Sequence, residues 1–160
     1  MSVMKPKDLA KYVRGKKNPL LITGALCDEL DFPEAKRKLL DYAVEINRKM
    51  KDRPIAATGN TVVGLKERGI TVARTKKSWV GELVAYTRDP WMEPFFKERP
   101  DAMVFLGYTT GALNWLCSMA KDMETVALGY QAVPEATQSL PDTVSFREYQ
   151  KNLEEFIKAL

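Results

Sequence analysis

Leu20-Leu21-Ile22-Thr23-Gly24 is a short apolar run that finishes on glycine, and the chain repeats the pattern three more times. The other copies are Ile55-Ala56-Ala57-Thr58-Gly59, Met103-Val104-Phe105-Leu106-Gly107 and Val126-Ala127-Leu128-Gly129. A continuous apolar run of strand length predicts a strand covered on both faces, as in a parallel sheet. A glycine at its end lets the chain turn sharply or lets a ligand approach the backbone. Simple turn punctuation accounts for any one of these glycines as well. Several at the carboxyl ends of parallel strands would line the edge where open α/β sheets bind ligands.

Between the runs the apolar spacing becomes helical. Residues 5 to 14 predict a short basic helix with Leu9, Tyr12 and Val13 on one side. Asp31 with Glu34 resembles a capping box for a helix carrying Leu39, Ala43, Ile46 and Met50. Ile70 to Ala73 reads as a short third strand, and Ser78 as the N-cap of a helix carrying Val80, Leu83, Val84 and Thr87. Thr109-Thr110-Gly111 opens a helix with Leu113, Leu116 and Met119 on one face. Gly129 to Pro141 reads as a loop, Thr143-Val144 as a short sixth strand, and Ser145 with Glu148 as the cap of the last helix. Strands interleaved with helices imply right-handed crossovers. The expected fold is therefore α/β, a single Rossmann-like domain over residues 1–160. It is doubly wound, with a mostly parallel sheet of about six strands in the order 3-2-1-4-5-6 and helices on both faces.

Composition narrows the chemistry. The chain has 160 residues, two cysteines and no histidine. Histidine triads and histidine metal sites are thereby excluded within it. Cys27 and Cys117 form no CxxC pair, so neither a disulfide framework nor a cluster site is expected, and a reducing cytoplasm is the default. Cys27 is followed by Asp28 and Glu29, acids that would raise its pKa were it a reactive thiol. No apolar stretch reaches membrane-span length and the start lacks a signal-peptide h-region. Net charge is +4, with basic clusters at Lys5 to Lys17, Lys36-Arg37-Lys38, Lys49 to Arg53 and Arg74 to Lys77. Such clusters suit nucleic acid or an acidic protein, or are solvated helix ends. No nucleic-acid motif accompanies them, so nucleic acid is not an expected partner.

In the predicted strand order, the loops after Gly24 and Gly107 flank one crevice, with a helix starting beside it. The candidate cofactor-contacting residues are Gly24, Ala25, Gly59, Asn60, Gly107, Tyr108, Thr109 and Gly129. The chain carries no GxGxxG after its first strand, no acid after its second and no Walker sequence. Ordinary NAD binding is not expected, while a flavin or other nucleotide in a variant crevice remains open. No catalytic residue and no metal ligand is assigned. Trp91, Phe95 and Phe96 lie in a proline-bounded segment, and Trp115 falls off the apolar face of its helix. An off-face tryptophan can anchor a protein interface or cover the end of a sheet.

The order of motifs resembles the epsilon subunit of the archaeal acetyl-CoA decarbonylase/synthase (carbon monoxide dehydrogenase) complex. The similar segments are Pro19 to Gly24 with Asp28-Glu29-Leu30, Pro54 to Gly59, Tyr86-Thr87-Arg88-Asp89-Pro90-Trp91, Asp101 to Gly107, and Val133 through Leu140. The likeness spans residues 17 to 160 and is weaker at Gly64 to Lys77 and at Tyr108 to Gly111. The resemblance implies a fold like the FAD/NAD-binding central domain of thiamine-diphosphate enzymes, with FAD as the cofactor some relatives hold. It also implies a large alpha subunit as partner, in an alpha2epsilon2 carbon monoxide dehydrogenase unit, with self-association as the alternative when the chain is isolated. The role implied is stabilising that unit or helping pass electrons to FAD, without catalysis by this chain itself. A flavin- or nucleotide-binding electron-transfer protein outside such a complex is the competing expectation.

Overall fold

The computed structural model describes residues 2–71, 79–88 and 90–160. In chain order its elements are β1 (Ser2–Val3), α1 (Pro6–Arg14), β2 (Pro19–Thr23), α2 (Leu26–Glu29), β3 (Asp31–Phe32), β4 (Arg37–Lys38), α3 (Leu39–Lys49) and β5 (Ile55–Ala57). They continue with α4 (Thr61–Glu67), α5 (Val80–Ala85), β6 (Ala102–Leu106), α6 (Thr110–Met119), β7 (Glu124–Ala127), β8 (Gln138–Ser139) and α7 (Phe146–Ala159). Six strands form one parallel sheet in the order β1-β8-β7-β6-β2-β5.

The apolar runs supply its centre. Every residue of β2 and β6 is buried, and the two strands pair Leu21 with Val104, Ile22 with Phe105 and Thr23 with Leu106. Alternate side chains enter opposite layers, because successive residues of a strand point to opposite faces. Leu21, Ile55, Ala57, Val104 and Val126 pack with α1, α3 and α7. Leu20, Ile22, Ala56, Met103 and Phe105 pack with α5 and α6. Both faces are covered, so the doubly wound α/β architecture holds.

The strand order differs in part from the expected one. Strands two, one, four and five of the sequence reading are neighbours as expected, now β5, β2, β6 and β7. The sixth place belongs to Gln138–Ser139, not Thr143-Val144, and Ser2–Val3 adds an edge strand beyond it. Val144 is almost fully exposed and has nothing to pack on, whereas Ser139 and Leu140 are buried and the Leu140 N–H reaches the Ala127 carbonyl at 3.1 Å. The expected strand at 70–73 lies partly outside the described residues, and Ile70 and Thr71 are not in a strand. The Ser78 cap also lies outside them.

Asp31 and Glu34 do not cap a helix. Asp31 begins a two-residue hairpin strand paired with Lys38, and α3 starts only at Leu39. The carboxylate that accepts the early N–H there is Asp41, from Lys38 at 2.8 Å. The expected cap of α7 is present: Ser145 Oγ accepts the Glu148 N–H at 3.1 Å. Between β5 and the place of the expected third strand, Thr61–Glu67 forms α4.

Candidate functional site

The carboxyl ends of β2, β5 and β6 meet at the edge where the glycines were expected to gather. The backbone turns after Gly24 and Gly107 are locked together. Gly24 N–H donates to the Leu106 carbonyl at 2.8 Å, and Leu26 N–H to the Gly107 carbonyl at 3.0 Å. A Cβ on Gly24 would lie 2.5 Å from the Gly107 carbonyl oxygen and 2.8 Å from the Tyr108 ring. A Cβ on Gly107, which has φ +93°, would lie 2.4 Å from Cys27 Sγ. These two glycines serve the close approach of the chain to itself.

Tyr108 fills the space between them and β5. Its hydroxyl lies 2.7 Å from Thr58 Oγ1, and its ring meets Phe105 edge-on at 5.9 Å. Thr58 Oγ1 donates to the Thr23 carbonyl at 2.7 Å, which spends its one proton, so Tyr108 donates to Thr58. Thr61 Oγ1 donates to the Thr58 carbonyl at 2.7 Å and sits 2.9 Å from Thr23 Oγ1. The result is a chain of hydroxyls in which buried polar groups satisfy one another. Burial pushes the Tyr108 phenol well above its ordinary pKa, so it is neutral at physiological pH. The Cys27 thiol is fully buried and also pushed up, first by burial and further by Asp28. Neither group is activated as a nucleophile or base.

The remaining expected residues spread out from this point. Gly59, at φ +62°, makes the left-handed turn from β5 into α4, with Asn60 as the first residue before that helix. Ala25 is the nearest side chain to Gly59 across the β2–β5 junction, 3.9 Å from where a Cβ would be. Thr109 caps α6 by accepting the Ala112 N–H at 3.2 Å, and Gly129 faces Leu113 and Gln131 on the β7 side. The structure thus brings Gly24, Ala25, Gly59, Gly107 and Tyr108 together, while Thr109 caps α6 and Gly129 lies against Leu113 on the β7 side.

Beside Gly59 and Asn60 an open cleft of about 520 Å³ is lined also by Thr58, Trp79, Val80, Gly81 and Trp115. Trp79 is 78% exposed and Trp115 56%, large apolar surfaces left facing solvent. Gly81 lies against the Trp115 ring, where a Cβ would be 3.6 Å from it. Sequence periodicity pointed to Trp115 as an off-face residue, but nothing marked Trp79 or the three threonines. Strand-terminal threonines read as ordinary β-formers until their carbonyl and hydroxyl partners are seen.

Among the described residues no group of His, Cys, Asp or Glu side chains could hold a metal ion. No helix among them is long and apolar enough to cross a membrane.

No protein-family model matches the chain. The chain is 30% identical, over 166 aligned positions, to the epsilon 1 subunit of the acetyl-CoA decarbonylase/synthase complex of Archaeoglobus fulgidus. The alignment covers 99% of this chain and 84% of that protein. The chain belongs to the family of epsilon subunits of the acetyl-CoA decarbonylase/synthase complex.

Proposed function

We propose that this chain is a non-catalytic subunit that stabilises the large alpha subunit in an alpha2epsilon2 carbon monoxide dehydrogenase component. The observation that carries the reading is the closed switch point. The edge where a doubly wound sheet offers its active crevice is occupied by Tyr108 and by the Gly24–Gly107 backbone contact. What remains there is neutral and hydrogen-bonded, suited to holding a shape and not to moving protons. The free thiols of Cys27 and Cys117 agree with work in a reducing cytoplasm. The test adds the purified chain to the isolated large subunit and follows thermal inactivation of CO oxidation. The expected result is a longer half-life at stoichiometric ratio and no turnover by this chain alone. An unchanged half-life, or turnover without the large subunit, would contradict the reading.

A second reading, assistance to electron transfer through FAD, is favoured by the tryptophan cleft. Trp79 and Trp115 offer exposed rings, and Asn60 offers a polar side chain beside them. These residues fit a flat ring system. The Gly24–Gly107 crevice does not fit a pyrophosphate while Tyr108 occupies it. A bound flavin would supply one- and two-electron transfer; the chain's own contribution would be to stack and orient the ring. Titration with FAD should then quench tryptophan emission, and Trp115→Ala should weaken binding at least about tenfold. A flat titration of the wild-type protein, alone and in the complex, removes this reading.

A further inference from the structure

At the amino-terminal edge of the sheet, opposite the threonines and tryptophans, three helices finish together. Arg14 at the end of α1 donates from Nη1 to the carbonyl of Ala159, at the end of α7, at 3.0 Å. The end of α3 lies alongside, and a small cleft of about 90 Å³ opens between them. Its floor is apolar, made by Val13, Pro19, Met50 and Leu160. Its rim is Arg14, Lys16, Lys49, Lys51 and Arg53, five cations with no Asp or Glu side chain among the lining residues.

None of the five makes an ion pair with a described residue. Arg53 is held by neutral acceptors, the Asn18 side-chain oxygen at 2.9 Å and the Lys17 carbonyl. Asp101, the nearby acid that might have paired with the rim, is engaged by the N–H groups of Lys17 and Asn18 at 2.7 and 2.9 Å. Asp52 is exposed in the turn after Lys51, and both residues adopt left-handed φ values of 63° and 52°. Cations at helix ends complement the dipole, but each helix end supplies only about half a negative charge. Three ends offset only about 1.5 of the five positive charges, so the side chains round the cleft leave it basic.

The basic character continues sideways. A second cleft, of about 260 Å³, shares Pro19 and Arg53 with the first and adds Phe95 and Lys97 on its wall, with Glu98 as its one acid. Phe95 is 41% exposed. A nucleic-acid backbone calls for cations spaced along a track. Here they crowd round one small apolar-floored cleft, a shape suited to side-chain carboxylates.

We infer that this amino-terminal edge is the docking surface for an acidic segment of a partner subunit, with Lys49, Lys51 and Arg53 meeting its carboxylates. The inference rests on the reading of the chain as a subunit that binds the large subunit. Opposite charges across an interface govern encounter rate, specificity and salt dependence. Lys49 and Lys51 are exposed, so their replacement leaves the core untouched.

The test measures binding of the full-length chain to the large subunit between about 50 and 500 mM salt. Wild-type binding should weaken steeply with salt, and the double variant K49E/K51E should bind at least about tenfold more weakly at low salt with a flattened salt response. Circular dichroism on the variant shows that it is folded. Binding by K49E/K51E within about twofold of wild type overturns this inference and leaves the subunit reading intact. No binding by the wild-type chain at any salt overturns the subunit reading and this inference with it. Tight binding of wild-type protein to duplex DNA at about 150 mM salt, abolished by the same substitutions, would assign the edge to nucleic acid and overturn the proposal.

Discussion

Gly107 and Gly59 end two strands in the same way on paper and do different physical work. Gly107 combines φ +93° with a would-be Cβ 2.4 Å from Cys27 Sγ and 2.8 Å from the Gly24 carbonyl oxygen. Gly59 needs its φ of +62° but has open space, its nearest neighbour being 3.9 Å away. Gly107→Ala should therefore cost about 3 kcal/mol, from backbone strain plus overpacking. Gly59→Ala should cost only about 1 kcal/mol, from the left-handed backbone alone. Urea unfolding of the two variants checks this, and equal losses would refute the distinction. The glycines were legible in the sequence as the ends of strands. Their use was not, because a missing Cβ admits a ligand or the chain's own backbone equally well. Only the positions of Tyr108 and Cys27 decide between the two, and those depend on contacts across the whole sheet.

Helices α3 and α4 show how far element-level patterns carry. Leu39, Ala43, Ile46 and Met50 are all buried, as their spacing required. Helix α4 was obscured by Thr61, Val62 and Val63, β-branched residues with poor helix propensity, and by Gly64. Gly64 is there because α4 presses on α3: a Cβ would sit 2.3 Å from Leu40 Cδ2. The same junction is tied by Arg68, whose Nε donates to Asp41 Oδ1 at 2.8 Å while Nη1 donates to the Gly64 carbonyl at 3.0 Å. Two-residue strands such as β1 and β8 escape pattern reading because backbone pairing makes them, with too few side chains to show a period.

Partial burial tends to raise the Asp41 pKa, but Arg68 and the Lys38 N–H outweigh it and hold the carboxyl below its usual value. The stabilisation is therefore present above the unfolded-state value near ~3.9 and is lost as pH falls through the lower folded value. Asp41→Asn should cost about 1–2 kcal/mol at neutral pH, and the gap to wild type should close in acid below that window. Unfolding curves from about pH 7 to 2 test it. A gap that stays constant with pH would mean that the carboxylate charge is not what the junction uses.

At the scale of the whole molecule, the two edges of one sheet have diverged in character. The carboxyl edge is closed at its centre by Tyr108 and opens beside it at the tryptophan cleft. The amino edge gathers cations that form no ion pair with a described residue where three helices end. Sequence alone placed the basic clusters at helix ends but could not show that α1, α3 and α7 finish at one place, since that convergence is a property of the fold. A protein with a sealed switch point, exposed tryptophans and an unbalanced basic edge is built to be completed by another protein. Light scattering of the purified chain mixed with the large subunit at equimolar ratio measures that completion. The expected result is one species with the mass of two large and two small chains, and none of either chain left free. Two separate species with the masses of the isolated components would contradict the account.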